Sequence, residues 1–139
     1  MAGQFKDTWL NNIYAPSGAE NKKEREKFFT HDLAYLLPPV QKDIVLAGDF
    51  NCVFSPSDCT GSPNISNALS ATIKELALHD AWESPSQLPH YTQYTKSGAT
   101  RIDRIYLFTP LKIRKQGIGT LIAPFSDHLA VVLRLTYHH

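Results

Sequence analysis

Apolar positions recur along this chain in two rhythms, one of strands and one of helices. "TWLNNIY", from Thr8 to Tyr14, reads as a strand and stops at "APSG". Two helix starts follow at capping-box spacing, Ser17 with Glu20 and Asn21 with Glu24. Phe28, Phe29, Leu33, Leu36 and Leu37 then form a stripe at helical spacing, ended by Pro38-Pro39. "DIVLAG" is apolar on successive residues, the pattern of a strand covered on both faces. "FSPSDCTGSPN" reads as a loop, and Ile65, Leu69, Ile73 and Leu76 mark a second helix. "HYTQYT" and "RIDRIYLF" read as strands joined by "KSGA". "IRKQGIGTLI" is a further strand, irregular at its glycines, and "HLAVVLRLTY" is the last. Strand, helix, strand, helix and then several strands predict an α/β or α+β layered domain, without repeats or linkers.

Polar residues at the strand ends change the picture. "VLAGDFN" finishes an apolar strand with Asp49 and, two residues on, Asn51. In "RIDRIYLF" strand alternation places Asp103 on the side of Ile105 and Leu107, where a carboxylate is costly unless paired or hydrogen-bonded. Asp127 and His128 stand at the mouth of the last strand. If the strands carrying Asp103 and His128 are neighbours, Asp103 accepts from a ring nitrogen and fixes the tautomer of His128. Taken singly, each residue has a plain structural reading: Asp103 pairs with Arg101 or Arg104, and Asp127 caps a turn. Taken together, three carboxylates, one imidazole and one amide at strand ends suit a Mg2+-dependent phosphoryl-transfer centre. Magnesium takes oxygen ligands and keeps its waters, while His and Asn serve the phosphate and the developing charge.

Composition sets the outer limits. The 139 residues suggest one domain, and 42% hydrophobic content is enough for a core. No apolar run approaches a membrane span, and "MAGQFKDTW" lacks a signal-peptide core. Cys52 and Cys59 read as reduced thiols rather than a disulfide or half a zinc site, since neither C-x2-C nor a nearby His spacing supports metal. An intracellular setting, nuclear or cytoplasmic, is the expectation. The terminal His138-His139 pair reads as a tag remnant.

Net charge is +1, unevenly spread. Between Lys96 and Lys115 the basic residues are Lys96, Arg101, Arg104, Lys112, Arg114 and Lys115, and Asp103 is the only acid. Six positive charges less one give +5 there and −4 elsewhere. Such a segment is either a polyanion footprint, with weak and sequence-independent DNA binding, or the solvated outer face of two strands.

"NIYAPSG", "LAGDFNCV", "RIDRIY" and "SDHLAVVL" resemble, in order, four motifs of the endonuclease/exonuclease/phosphatase superfamily. With "FF", "LHDAW" and "ATRIDRIY" the resemblance is nearest to the apurinic-type endonuclease domain of non-LTR (LINE-like) retrotransposons. It runs from about Asn11 to Leu135. The resemblance implies a metal-dependent phosphodiesterase on DNA, with Mg2+ or Mn2+ as cofactor and a 3′ hydroxyl as product. It implies that Tyr14 contacts the scissile phosphate or supports its neighbours, and that Asp49 orients or deprotonates the attacking water. Asn51 would position Asp49, Asp103 would orient His128, His128 would bind the phosphate oxygen, and Asp127 would assist the metal.

The family's domain is about twice this length, an αββα sandwich whose first half supplies an essential Asn and a metal-ligating Glu. Neither has a counterpart here. The expectation is therefore about half of that sandwich, one mixed sheet with two covering helices. Weak metal binding and nicking near background should follow. The inner sheet face would be bare unless a second copy or a partner chain covers it, with Val45, Ile105, Val131 and Leu133 as candidate lining. The alternatives are a non-catalytic remnant that binds nucleic acid or protein, and a small-molecule phosphatase.

Overall fold

The computed structural model describes residues 2–5, 8–37, 42–82, 91–108 and 113–137; Pro38, Pro39, Lys112, His138 and His139 lie outside them. Its axis is β3 (Asp43–Asp49), hydrogen-bonded on both edges. On one edge runs β2 (Thr8–Tyr14), parallel to it, and beyond that β1 (Ala2–Phe5), antiparallel to β2. On the other edge runs β7 (Asp103–Phe108), antiparallel, followed by the short β4 (His79–Asp80). The order in this five-stranded mixed sheet is β1-β2-β3-β7-β4.

A parallel neighbour needs a crossover, and the helical stretch after "APSG" supplies it. It comprises a 3-10 turn (Ala19–Asn21), α1 (Lys22–Lys27), a π turn (Phe28–Asp32) and α2 (Leu33–Tyr35). Neither expected capping box forms. Gly18 precedes the first turn, and the Asn21 amide donates back to the Ser17 carbonyl at 2.8 Å. Arg25, 1% exposed, holds the entry instead, donating to the carbonyls of Pro16 and Gly18 at 3.0 Å each. The second helix is α3 (Asn67–Glu75), capped by Ser66, whose Oγ accepts from the Leu69 N–H.

Both helical stretches pack on one face of the sheet. Phe29, Leu33, Leu69 and Ile73 meet Ile13, Ile44, Leu46 and Tyr106 there, all buried. The opposite face carries Val45, Ala47, Ile105 and Leu107. A separate two-stranded sheet covers part of it: β8 (Ile113–Ile122) and β9 (Leu129–Tyr137), antiparallel, with a register shift between Lys115 and Gly117. Ile118, Val131 and Leu133 of this hairpin pack on Ile105 and Leu107. Part of the inner face expected to be bare is thus covered from within the chain. Val45, Ile105, Val131 and Leu133 are used against one another within the chain, because the last two strands fold back across the sheet. Exposed apolar surface persists at Leu10 (42%) and Tyr14 (72%) on β2, and at Leu121 and Ile122 near the hairpin turn. A third small sheet, β5 (Gln93–Thr95) with β6 (Gly98–Thr100), closes the architecture.

One glycine is obligatory. Gly48 has φ +141°, and a Cβ there would lie 2.0 Å from the Ile13 carbonyl oxygen on β2. The β2–β3 approach at the residue before Asp49 thus excludes a side chain. Gly48→Ala should cost about 2–3 kcal/mol or more, combining a left-handed backbone with a main-chain clash. Urea unfolding reads this as a lower midpoint, and a wild-type midpoint would refute it.

Candidate active site

The strand register builds the site. Asp49, the last residue of β3, lies opposite Tyr14 of β2 on one side and Asp103 of β7 on the other. Alternation puts both carboxylates on the face covered by the β8–β9 hairpin. Two acids opposed across neighbouring strands repel one another. His128, brought by the entry to β9, resolves the conflict. Its Nδ1 lies 2.7 Å from Asp103 Oδ2, and its Nε2 lies 3.9 Å from Asp49 Oδ2 and 3.7 Å from Asp127 Oδ1. The contact predicted from the misplaced carboxylate of "RIDRIYLF" is therefore made, with the Nδ1–H donating to Asp103.

The backbone around these groups is tied down. Asp49 Oδ1 accepts from the Asn51 N–H at 2.8 Å, and Asn51 adopts φ +51°, a conformation Asn tolerates. The Asn51 amide donates to the Ala15 carbonyl at 2.6 Å, while the Ala15 N–H donates to the Asp49 carbonyl. The end of β2 and the end of β3 are thereby fastened to each other. On the opposite side, β5 clamps the His128 loop. Tyr94 N–H donates to the Asp127 carbonyl, Leu129 N–H to the Thr92 carbonyl, and Thr92 Oγ accepts from the Asp103 N–H.

Electrostatics follow from this packing. Burial raises the Asp49 carboxyl above its usual range, and the charge of Asp103 adds to that, against the opposing Asn51 hydrogen bond. Burial works to lower the His128 pKa. The hydrogen bond and charge of Asp103, reinforced by Asp49 and Asp127, outweigh it, so the net shift is upward.

Donor atoms of Asp49, Asp103 and His128 all lie within 4.8 Å of one another. Such a gathering is a candidate divalent-cation site, with Asp103 Oδ2 engaged by His128 Nδ1 and the Asp127 carboxylate close by. Beside them runs a cleft of about 600 Å3, whose lining includes Tyr14, Asp49, Asp103, Ile105, Leu129 and Val131.

The match to known proteins is broad. Residues 7–128 match the "Endonuclease/Exonuclease/phosphatase family". The chain belongs to this family. A curated relative, the transposon TX1 uncharacterized 149 kDa protein of Xenopus laevis, is 31% identical over 138 residues; the match covers 91% of this chain and 10% of the relative. An AP endonuclease from Archaeoglobus fulgidus superposes with a TM-score of 0.76 at 21% identity, covering 98% of this chain and 63% of that one. A Neisseria 3′ phosphatase, NExo, bound to product DNA hairpin, superposes at 0.65 and 17% identity, covering 98% and 64%. The chain thus has the fold of the family's nucleases and phosphatases and spans less than two thirds of each of these relatives.

The expected site residues lie together, whereas the basic segment divides between residues engaged inside the fold and residues that are exposed. Asp49, Asn51, Asp103, Asp127 and His128 converge, and Tyr14 stands exposed at the rim of the cleft. Arg104 is 2% exposed, stacked 5.1 Å over Phe50 and 5.5 Å over Tyr106, and donates to the Cys52 carbonyl. It alternates away from Asp103 into the helix-side core, so it does not face an external phosphate. Arg101 is held by Asp58 at 3.0 Å and Asp80 at 2.6 Å. Lys96, Arg114 and Lys115 are exposed, although the Lys115 ammonium donates to the Ala81 carbonyl at 2.9 Å. Lys112 lies outside the described residues. The sequence reading missed Arg25 and Gln93, which sit in a plain helix and a plain strand and carry no local signal. Cys52 and Cys59 are free thiols. Among the described residues no helix is long and apolar enough to cross a membrane.

Asp103→Asn should lower the His128 pKa, because the negative charge that strengthens the Nδ1–H hydrogen bond and favours the protonated ring is removed. A raised folded-state pKa stabilises the fold fully below about 6.5 and ceases to do so as pH rises through the folded value. The variant should therefore lose more stability at pH 5.5 than at pH 9. Titration of the His128 ring proton resonances checks the shift, and an unmoved midpoint would contradict it.

Proposed function

We propose that this domain is a divalent-metal-dependent phosphodiesterase of nuclease type, acting on DNA. The observation that carries the reading is His128 held between Asp103 at 2.7 Å and Asp49 at 3.9 Å. Asp49 and Asp127 would hold a Mg2+ or Mn2+ ion, which would supply charge neutralisation at the phosphate and activation of water. Asp49, its carboxyl raised by burial, orients the attacking water and takes its proton. Asn51 holds Asp49 in place through its N–H. Asp103 keeps the His128 ring turned so that, once the ring is protonated, Nε2–H donates to a phosphate oxygen. The water oxygen bonds to phosphorus as the P–O3′ bond breaks. The leaving oxygen takes up a proton, giving a 3′ hydroxyl and a 5′ phosphate. Tyr14, at the cleft rim, contacts the phosphate.

Asp103 is committed to His128, which leaves Asp49 and Asp127 as the carboxylates that face a cation. Two such ligands give weak metal binding and slow nicking by the chain alone. DNA as substrate is supported by the transposon relative, by the DNA-bound neighbour and by exposed Lys96, Arg114 and Lys115.

Supercoiled plasmid should be nicked slowly in Mg2+ or Mn2+, and the nicking should vanish with chelator and in Asp49→Ala and His128→Ala. Nicking that His128→Ala leaves unchanged would overturn the assignment, as would the absence of any nicking above that variant at high Mn2+. DNA binding should fall steeply with salt. Lys96→Ala with Arg114→Ala should lower the salt slope by up to about two units if both contact phosphate; an unchanged slope would return both to an ordinary solvated face.

A further inference from the structure

Resting on the phosphodiesterase reading, we propose that Gln93 is a positioning residue of this site: its amide joins His128 to Asp127 and fixes the edge of the imidazole that meets the phosphate. Gln93 Nε2 lies 3.2 Å from Asp127 Oδ2 and 3.3 Å from His128 Nε2. The Asp127 carboxylate only accepts, so the nitrogen is the end of the amide that faces the site, and the other end, Oε1, accepts from Thr100 Oγ1 at 3.4 Å. Strand contact reinforces the placement, since Gln93 bridges His128 through the backbone.

Hydrogen-bonding capacity dictates what the amide does. The Nδ1–H of His128 donates to Asp103, so in the neutral ring Nε2 presents a lone pair. Around that lone pair stand carboxylate oxygens of Asp127 and Asp49 at 3.7 and 3.9 Å, which have no hydrogen to offer it. The Gln93 amide has two. One satisfies the Asp127 carboxylate and the other the Nε2 lone pair. An uncharged donor thus holds two acceptors together that would otherwise part. Asp103, His128, Gln93 and Asp127 form one chain of hydrogen bonds that crosses from β7 through the hairpin entry to β5. Groups of this kind, one step removed from the reacting atoms, are worth roughly ten- to hundredfold in metal affinity or activity.

The test uses Gln93→Leu, which keeps bulk and removes both hydrogens, and Gln93→Glu, which keeps shape but offers acceptors only. At a pH where His128 is neutral, both should move the His128 Nε2 nitrogen resonance toward that of a free imidazole lone pair. The Nδ1–H signal from the bond to Asp103 should persist, showing that the fold is intact. In the Mn2+ nicking assay, both should lower kcat by roughly ten- to hundredfold with KM little changed. An Nε2 resonance identical to wild type in Gln93→Leu overturns the proposal, as does full nicking activity in that variant. If wild type shows no His128-dependent nicking, the phosphodiesterase reading fails, while the Nε2 resonance still decides whether Gln93 holds the ring.

Discussion

Pairing of β3 on both edges is the constraint from which the rest of this molecule follows. A strand bonded in parallel to β2 and antiparallel to β7 cannot slip by one residue without turning Ile44 and Leu46 out of the helix-side core. That register leaves Asp49 level with Tyr14 and with Asp103. The burial of aliphatic side chains, a non-directional force, is thereby converted into a fixed separation between two carboxylates. Gly48 is the local condition for it, since the β2 carbonyl occupies the space a side chain would need.

Once placed, the acids pose an electrostatic problem that the surrounding groups answer in different ways. Asp103 is hydrogen-bonded by the imidazole Nδ1–H, and Asp49 is steadied by a backbone N–H while burial raises its pKa. Asp127, more than half exposed at its side chain, keeps solvent and the Gln93 amide. Three carboxylates so close thereby acquire three different environments, which is how chemically identical groups come to serve distinct roles. A cation entering such a cluster would find Asp49 and Asp127 available and Asp103 taken.

Much of this was legible in the sequence, and the limits have physical causes. Strand periodicity located β2, β3, β7 and the final hairpin. The same alternation exposed Asp103 as a misfit that needed a partner, and His128 is that partner. What alternation could not deliver was the destination of the last two strands. An apolar strand looks the same whether it joins the main sheet or folds across it as a second layer, and β8–β9 takes the second course. The side of a strand likewise does not announce whether a cation is solvated. Arg104 alternates with Asp103 and so enters the aromatic core, where stacking on Phe50 and Tyr106 replaces water. Capping boxes at Ser17 and Asn21 were outcompeted by Arg25, whose long side chain reaches the entry loop from inside the helix.

The site straddles a seam. Asp49 and Asp103 belong to the five-stranded sheet, whereas Asp127 and His128 stand in the turn that joins the strands of a separate ribbon. A chain whose large sheet has formed while the ribbon is still undocked holds the acids without the imidazole. Such a chain lacks the assembled cluster. For a protein whose proposed substrate is DNA, the seam makes the assembly of the site conditional on completed tertiary folding, so that half-folded molecules lack it.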